Sequence, residues 1–370
     1  MPDTELKTQW ERYVATERQR ISMLLKGEYA LDDFQPQTIG ERYLTRPVGS
    51  GRKVVFFGCS KNGMRVVIKT SREEQGIAEL MHEERVHEML SRIQFAYEAF
   101  SLPRLLPSNV RAGILVSEYI DQDKPFLDRP LREQFNLALR AFKAQESAHA
   151  VTAEHWESLQ RLMRETEYYI KPSEYRKAAE YGNDVLALLP PNNPDKERLS
   201  TLFDTVLTLI NEHSEALERY DSFLTHWDFM PQNFRVKDGK LYLLDLTSMR
   251  FGNKYEGWAR FINFMTLYHP PLAQALVDYV HLNRTKEEAR VLTVMRAYRL
   301  VELIRYYATW IEKTTGDTLA LAEARISFWT DVLAHVLKDK PIPNGRIEAY
   351  KTVRDALRSE EEKLRQKGLH

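Results

Sequence analysis

The first seventy residues change from helical spacing to strand-like runs. Apolar positions three and four apart across residues 4–26, set among many charges, predict an amphipathic helix that ends at Gly27. Short runs rich in β-branched and aromatic residues follow, at 43–48, 53–59 and 64–70. Because Asn62-Gly63 between the last two runs is a strong hairpin signal, we expect three antiparallel strands.

The rest of the chain is mostly helical in pattern. A helix is predicted over residues 73–93 and a strand over 114–120. Residues 131–222 favour helices broken by prolines, and the chain beyond 257 is again helical. A second hairpin, with strands at 234–236 and 241–246, lies between these two helical regions. The pattern predicts an α+β protein with a sheet-rich first part.

Four segments follow from these changes of pattern. We expect a helical extension at 1–40, a small sheet-based lobe at 41–120, a large lobe at 121–345 and a charged C-terminal helix at 346–370.

Composition excludes several kinds of protein. The 370 residues hold 53 Lys plus Arg against 53 Asp plus Glu, so a basic footprint for nucleic acid is missing. Cys59 is the single cysteine, which excludes an internal disulfide. The acidic N-terminus and the lack of any run of about 18 apolar residues predict a cytoplasmic protein without a membrane partner. The neutral total hides a local acidic bias, 14 acidic against 8 basic residues over 150–225.

The segment from His226 to Asn233 carries the clearest chemical signal. Asp228 is followed five residues later by Asn233, and the second hairpin then leads to Asp245. Carboxylate and amide oxygens are the hard ligands that Mg²⁺ prefers. The order His-x-Asp-x-x-x-x-Asn, hairpin, Asp is that of a kinase catalytic loop followed by its metal aspartate.

These residues, together with Leu243-Leu244-Asp245, resemble the aminoglycoside phosphotransferase and choline kinase-like superfamily. The resemblance implies a bilobal protein kinase-like fold, with a small antiparallel-sheet N-lobe and a large, mainly helical C-lobe. It implies Asp228 as catalytic base, Asn233 and Asp245 as magnesium ligands, and His226 as support for the loop. The implied cofactors are ATP or GTP and Mg²⁺.

The N-lobe supplies a candidate phosphate-binding lysine. The strand Arg65–Lys69 resembles the one that presents this lysine in the superfamily, which makes Lys69 the candidate. In the superfamily a glutamate on the next helix pairs with it. Among Glu79, Glu83 and Glu84 we favour Glu83, because Val86 and Leu90 then fall on the same helix face.

Two further segments are candidates for nucleotide contacts. Gly49-Ser50-Gly51 could cover the triphosphate with backbone N–H groups. Glu118-Tyr119-Ile120 stands where such kinases connect their lobes, and its backbone would hydrogen-bond the adenine.

The motif departs from the superfamily pattern at several positions. Trp227 replaces a usual glycine and Met230 a frequent histidine. Leu246-Thr247-Ser248 follows Asp245, and 257–261 lacks an expected aspartate. Each chemical requirement is still met, so we expect a divergent member with its own substrate.

Three functions compete: a small-molecule kinase, a protein kinase and an inactive kinase fold that binds or regulates. More than a hundred residues separate Glu118 from His226, which suits an acceptor pocket in a small-molecule kinase. Gly257 follows Asp245 after only twelve residues and no Ala-Pro-Glu occurs, which disfavours a protein kinase. We expect phosphorylation of a hydroxyl on an aminoglycoside, amino alcohol, sugar or related metabolite. The acidic bias would suit a cationic acceptor, but a solvated helical face accounts for it better. The choice between monomer and homodimer stays open.

Overall fold

The computed structural model describes residues 3–31, 53–91, 100–147, 157, 172–358, 360 and 363. In these ranges a four-stranded antiparallel sheet forms the N-terminal part, in the order β1-β2-β3-β5. Its strands are β1 (Tyr29–Leu31), β2 (Val54–Ser60), β3 (Arg65–Thr70) and β5 (Ile114–Glu118), and the short β4 (Phe100–Ser101) lies apart from it.

Side chains alternate between the two faces of this sheet, as a strand requires. Val54 and Phe56 in β2, with Val66 and Ile68 in β3, are buried on one face. The residues that alternate with these along each strand, including Lys69, line the cleft on the opposite face of the sheet. Lys69 therefore reaches the cleft because of its place in the period-two pattern.

Helix α1 (Asp3–Leu24) covers the back of the sheet. Trp10, Tyr13 and Ile21 pack in one cluster with the buried strand residues. Near its start, Leu6 packs against Trp310 and so reaches the large lobe. The helix therefore contacts both parts of the molecule.

The large lobe is built from helices and two small sheets. Helix α2 (Glu74–Leu90) belongs to the N-lobe. The helices that follow are α3 (Leu131–Ser147), α4 (Ala178–Leu188), α5 (Lys196–Glu212), α6 (Ser214–Arg219), α7 (Glu256–Tyr268), α8 (Pro270–Asn283), α9 (Lys286–Ile311), α10 (Gly316–Val336) and α11 (Asn344–Leu357). The strands of this lobe are β6 (Phe223–His226), β7 (Phe234–Lys237), β8 (Lys240–Leu243) and β9 (Met249–Gly252).

Two antiparallel strand pairs enclose the segment from His226 to Asn233. β6 pairs with β9, so that His226 lies opposite Met249. β7 pairs with β8 through a tight turn in which Asp238 (φ 52°) and Gly239 (φ 69°) both take the left-handed conformation. Such a turn matches the twist of the flanking strands, and it therefore fixes the position at which β8 ends.

The expected α+β, bilobal architecture is confirmed: an antiparallel sheet at the N-terminus precedes a mainly helical lobe. The expected strand at 43–48 lies outside the described residues. The second strand of the later hairpin was predicted too long, since β8 ends at Leu243. The chain leaves the extended conformation there because Asp245 is left-handed, with φ 51°. Within the described ranges, no helix combines the length and the apolar character needed to cross a membrane.

His82, on α2, provides a test of this packing through the pH dependence of stability. Its side chain is buried, and burial lowers the pKa of His82 from 6.5 to about 4. As the pH falls below about 6.5, His82 becomes protonated in the unfolded chain but stays neutral in the folded chain. The free energy of unfolding should therefore fall by about 3 kcal/mol between pH 7.5 and pH 4 on account of this residue.

Urea unfolding of the wild type and of His82→Gln over this pH range measures the effect. The variant should lose part of the pH dependence, whereas His213→Gln, at a half-buried position of the large lobe, should keep the wild-type curve. Parallel curves for the wild type and His82→Gln would contradict the assignment.

Candidate active site

A cavity of about 640 Å³ lies between the lobes and contains most of the predicted site residues. Its wall is formed by β3 and β5 at one end and by helices of the large lobe at the other. The predicted residues on the wall are Lys69, Glu83, Glu118, Ile120, Asp228, Asn233 and Asp245. His226 lies behind the wall, and Gly49, Ser50 and Gly51 lie outside the described residues.

Lys69 and Glu83 form a short ion pair in the cleft. Lys69 Nζ lies 2.5 Å from Glu83 Oε1. The same oxygen accepts the backbone N–H of Leu246, at 3.3 Å, from the loop after Asp245. Of the three glutamates considered from the sequence, Glu83 is the one that contacts Lys69, and it does so because α2 turns its buried face towards β3 and this loop.

Glu79, one turn earlier on α2, serves a second lysine that the sequence analysis missed. Lys53 Nζ lies 2.8 Å from Glu79 Oε2 and 3.4 Å from Thr247 Oγ1, and its side chain is buried. Lys53 precedes β2 by one residue, and the alternation along that strand points it into the cleft. The sequence feature that could have identified Lys53 is its position two residues after the glycine turn at Gly49-Ser50-Gly51.

Asp245 lies at the centre of a cluster of cations. Its Oδ1 accepts a hydrogen bond from Thr247 Oγ1 at 2.6 Å and lies 3.7 Å from Lys69 Nζ. Burial by itself raises the pKa of Asp245, but Lys69, Lys53 and the Thr247 hydrogen bond outweigh it and hold that pKa well below its usual range. Asp245 is therefore a carboxylate at neutral pH, which is the form that binds a metal ion.

Asp228 and Asn233 are joined within their loop. The Asn233 side-chain amide donates to Asp228 Oδ2 at 2.9 Å and to the Asp228 carbonyl at 2.7 Å. The Leu244 N–H donates to the Asn233 carbonyl at 2.7 Å, which places Asn233 beside the residue that precedes Asp245. The hairpin thus returns Asp245 to the loop that holds the other two residues.

Arg260 is the second residue that the sequence analysis missed. Its Nε lies 2.8 Å from Asp228 Oδ1, and it reaches the loop from α7. Burial by itself raises the pKa of Asp228, but the positive charge of Arg260 and its hydrogen bond outweigh it and lower that pKa. The stretch 257–261 had been noted only for lacking an aspartate, and nothing in it indicated that an arginine would fill the space.

His226 connects the loop to the end of the hairpin. Its ring is fully buried, and its Nε2 lies 3.0 Å from the Leu244 carbonyl oxygen. Since a carbonyl only accepts, Nε2 is the protonated nitrogen. Burial lowers the pKa of His226, so the ring is neutral. Its hydrogen bond connects β6 to Leu244, the residue before Asp245.

Trp227, which replaces a usual glycine, is held between two arginines. The guanidinium carbons of Arg250 and Arg299 lie 3.8 Å and 4.7 Å from centroids of its ring system. The backbone N–H of Trp227 donates to the Ser248 carbonyl at 2.8 Å. These contacts fix the residue next to Asp228 and bring positive charge to the wall of the cavity.

At the opposite end of the cavity, Glu118 and Ile120 lie where the lobes are connected. The N–H of Glu118 donates to the Arg104 carbonyl at 2.9 Å, and the N–H of Tyr119 donates to the Arg65 carbonyl at 3.0 Å. This segment is therefore fixed against the sheet, with both predicted residues on the cavity wall.

Comparison with known proteins shows which fold this is. No protein-family model matches the chain, and no curated protein matches its sequence. Solved structures do match. A macrolide 2′-phosphotransferase type I is 16% identical, with a TM-score of 0.54 over 84% of this chain and 97% of its own.

Two further structures agree with it. The GDP and kanamycin complex of APH(2″)-IIia is 12% identical, with a TM-score of 0.57 over 87% of this chain and 99% of its own. A thermostable mutant of an aminoglycoside phosphotransferase, in a ternary complex with ADP and hygromycin B, is 12% identical. Its TM-score is 0.53, over 81% of this chain and 94% of its own. The chain has the fold of these phosphotransferases in a divergent form, and the resemblance drawn from the sequence is confirmed at that level.

The contact between Arg260 and Asp228 predicts a measurable change in acidity. Replacing Arg260 by glutamine removes the positive charge that favours ionised Asp228, so the pKa of Asp228 should rise. Carbon-13 NMR titration of the aspartate carboxyls, with Asp228→Asn to assign the signal, measures this without any substrate.

Arg305→Gln is the matched control, because Arg305 lies on α9 and pairs with Asp184 away from the cleft. It should leave the titration of Asp228 unchanged. An equal curve for wild type and Arg260→Gln would show that the ion pair does not set the acidity of Asp228.

Proposed function

We propose that the protein is a small-molecule kinase that transfers the γ-phosphoryl group of ATP or GTP to a hydroxyl group of a small acceptor. The observation that carries the proposal is the meeting, in one interlobe cavity, of the Lys69–Glu83 ion pair with Asp228, Asn233 and Asp245. Phosphoryl transfer needs a cation on the phosphates, oxygen ligands for magnesium and a carboxylate near the acceptor. Each of these parts is available in the cavity.

The N-lobe, residues 41–120, would bind the nucleotide. Lys69 is suited to the phosphates because Glu83 holds its ammonium group in the cleft, and Lys53 adds a second positive charge nearby. The Glu118 carbonyl and the Ile120 N–H are our candidates for the base, and Gly49 to Gly51 for backbone cover of the triphosphate. Structural neighbours bound to ADP and to GDP support a nucleotide as a ligand of this fold.

The donor set fits Mg²⁺. Asp245 offers an ionised carboxylate, and Asn233 uses its amide nitrogen on Asp228, so that its amide oxygen is the atom with which it would bind the metal. Both are hard oxygen donors of the kind that Mg²⁺ accepts while it retains water. When bound, the ion would offset the negative charge that develops on the phosphate oxygens during transfer.

The large lobe, residues 121–345, would hold the acceptor and the base. Asp228 would accept the proton of the acceptor hydroxyl as its oxygen attacks the γ-phosphorus. Asn233 and Arg260 fix the two oxygens of this carboxylate, and neutral His226 supports the loop from behind. From composition, we also propose a cytoplasmic protein that binds neither nucleic acid nor membrane.

One alternative has a specific observation in its favour. In a catalytically inactive nucleotide-binding protein, the ion pair between Arg260 and Asp228 would occupy the base permanently. A protein kinase is disfavoured, because α7 begins at Glu256 and leaves only ten residues after Asp245 for an activation segment.

The Asp228→Asn variant separates these functions. It keeps the Asn233 contact to the backbone but removes the proton acceptor, so turnover should fall by about 10²–10⁴-fold. Magnesium-dependent consumption of ATP and GTP, measured over a panel of hydroxylated acceptors, gives the rate. Nucleotide affinity, measured by calorimetry, should stay near that of the wild type.

Near-normal turnover in Asp228→Asn would show that the base is assigned wrongly. Nucleotide binding by a wild-type protein that turns over no acceptor would favour the inactive alternative.

A further inference from the structure

Arginines dominate the part of the cavity that lies beyond Asp228, between this residue and helices α7, α9, α10 and α11. We call this part the acceptor half. Four arginines line it: Arg260, Arg299, Arg325 and Arg358. Among the described residues of its wall the carboxylates are Asp228 and Glu302.

Both of these carboxylates already contact an arginine. Asp228 lies 2.8 Å from Arg260, and Glu302 Oε2 lies 2.5 Å from Arg299 Nη1. The described wall of the acceptor half therefore offers an incoming ligand more positive than negative charge. An ammonium group placed here would meet carboxylates that an arginine already neutralises.

Two of the arginines are fixed by aromatic rings. Arg299 lies over Trp227 and is largely buried. Arg325 is also buried, with its guanidinium carbon 4.9 Å from the Tyr307 ring and 4.8 Å from the Trp310 ring. Stacking occupies the faces of a guanidinium group, whereas its N–H donors lie in the plane and match carboxylate or phosphate oxygens.

Positive charge is crowded in this region. Burial lowers the pKa of Arg299, Glu302 opposes that effect, and the nearby charges of Arg260 and Arg250 add to it. Burial raises the pKa of Tyr268, another wall residue, against the opposing influence of Arg354, Arg358 and Arg325. The charges of Arg260 and Arg250 disfavour the charged form of Arg299, so an anion bound among them would relieve this repulsion.

The remaining wall of the acceptor half is apolar and aromatic. It includes Phe264, Leu267, Leu303, Trp310 and Trp329. Pockets of this kind bind a hydrophobic body through the wall and fix its orientation through a few charged groups.

The described residues of the acidic stretch at 150–225 do not line this wall. Residues 157 and 172–225 are described, and none of them lines the cavity. In the described part of the chain, the electrostatic argument for a cationic acceptor therefore has no structural basis.

We propose that the acceptor is a hydroxylated molecule with an apolar or aromatic body and an anionic group, a carboxylate or a phosphate ester, which the arginines of the acceptor half bind. This inference rests on the proposed kinase function and defines its substrate class. Such a molecule differs from kanamycin and hygromycin B, the ligands in the complexes of two structural neighbours.

The transfer balances with this acceptor. The hydroxyl oxygen forms a bond to the γ-phosphorus, and the bond from that phosphorus to the oxygen bridging to the β-phosphate breaks. The hydroxyl proton passes to Asp228, and the nucleoside diphosphate leaves with the bridging oxygen. The anionic group of the acceptor stays unchanged and serves only for binding and orientation.

A matched set of ligands tests the charge preference. 4-(Hydroxymethyl)benzoate, 4-(hydroxymethyl)benzyl phosphate, 4-(hydroxymethyl)benzamide and 4-(hydroxymethyl)benzylamine share a ring and an alcohol and differ in charge. Binding of each, and of kanamycin, is measured by calorimetry or ligand-observed NMR on the full chain with Mg²⁺ and a non-hydrolysable ATP analogue. At least one anionic member should bind about tenfold or more tightly than the amide, and the amine and kanamycin should bind most weakly.

Arginine variants connect the preference to the acceptor half. In Arg325→Gln and Arg299→Gln the advantage of the anion over the amide should shrink, and Arg325→Lys should restore part of it. Arg305→Gln, on the same helix as Arg299 but outside the cavity, is the matched control and should keep the full preference. Thermal unfolding of each variant shows whether it is folded, and the lysine variant retains the charge where glutamine disturbs packing.

Each outcome has one meaning. Tighter binding of the carboxylate or of the phosphate ester supports the proposal and identifies the anionic group. Equal binding across the set, no binding of any member, or tighter binding of the amine or kanamycin overturns it. A loss of affinity for the ATP analogue in Arg325→Gln, with the acceptor preference intact, also overturns it, because the arginine would then serve the nucleotide. Failure of the wild type to bind nucleotide at all would instead overturn the proposed kinase function.

Discussion

A single carboxylate oxygen, Glu83 Oε1, holds the two halves of the site together. It lies 2.5 Å from Lys69 Nζ and accepts the N–H of Leu246 from the loop that follows Asp245. The first contact fixes a cation of the N-lobe, and the second fixes the large-lobe segment that carries the predicted metal ligand. Because Glu83 is buried, both contacts act where water competes little, and their loss would leave a buried charge without compensation.

In the rest of the cleft, each buried carboxylate lies near positive charges that compensate it. Asp245 faces Lys69 and Lys53, and Asp228 faces Arg260, so each carboxylate is ionised despite being partly removed from water. Buried charges are tolerated where such partners are close. The neutral His226 ring then ties the loop to Leu244 without adding another charge. The site is thus a set of fixed opposite charges into which a nucleotide, a metal ion and an acceptor would have to fit.

Local patterns predicted much of this arrangement. The Asp238-Gly239 turn indicated the hairpin that returns Asp245 to Asn233, and helical spacing on α2 separated Glu83 from Glu79 and Glu84. Lys53 and Arg260 escaped prediction for a physical reason. Their function depends on contacts with Thr247 and Asp228, and no periodicity within their own segments encodes such contacts.

The sequence alone determined the α+β architecture and the loop from His226 to Asn233, because these depend on strand alternation and turn chemistry between near neighbours. Helix spacing favoured Glu83 over Glu79 and Glu84 as the partner of Lys69, and the tertiary contact decided that choice. The tertiary structure alone decided the character of the acceptor half. Its arginines come from three helices and from the residue that follows a fourth, spread over about a hundred residues, and only packing brings them together. The acidic bias at 150–225 gave no indication of these arginines, because composition records how many charges a segment has and not which face of the molecule they occupy.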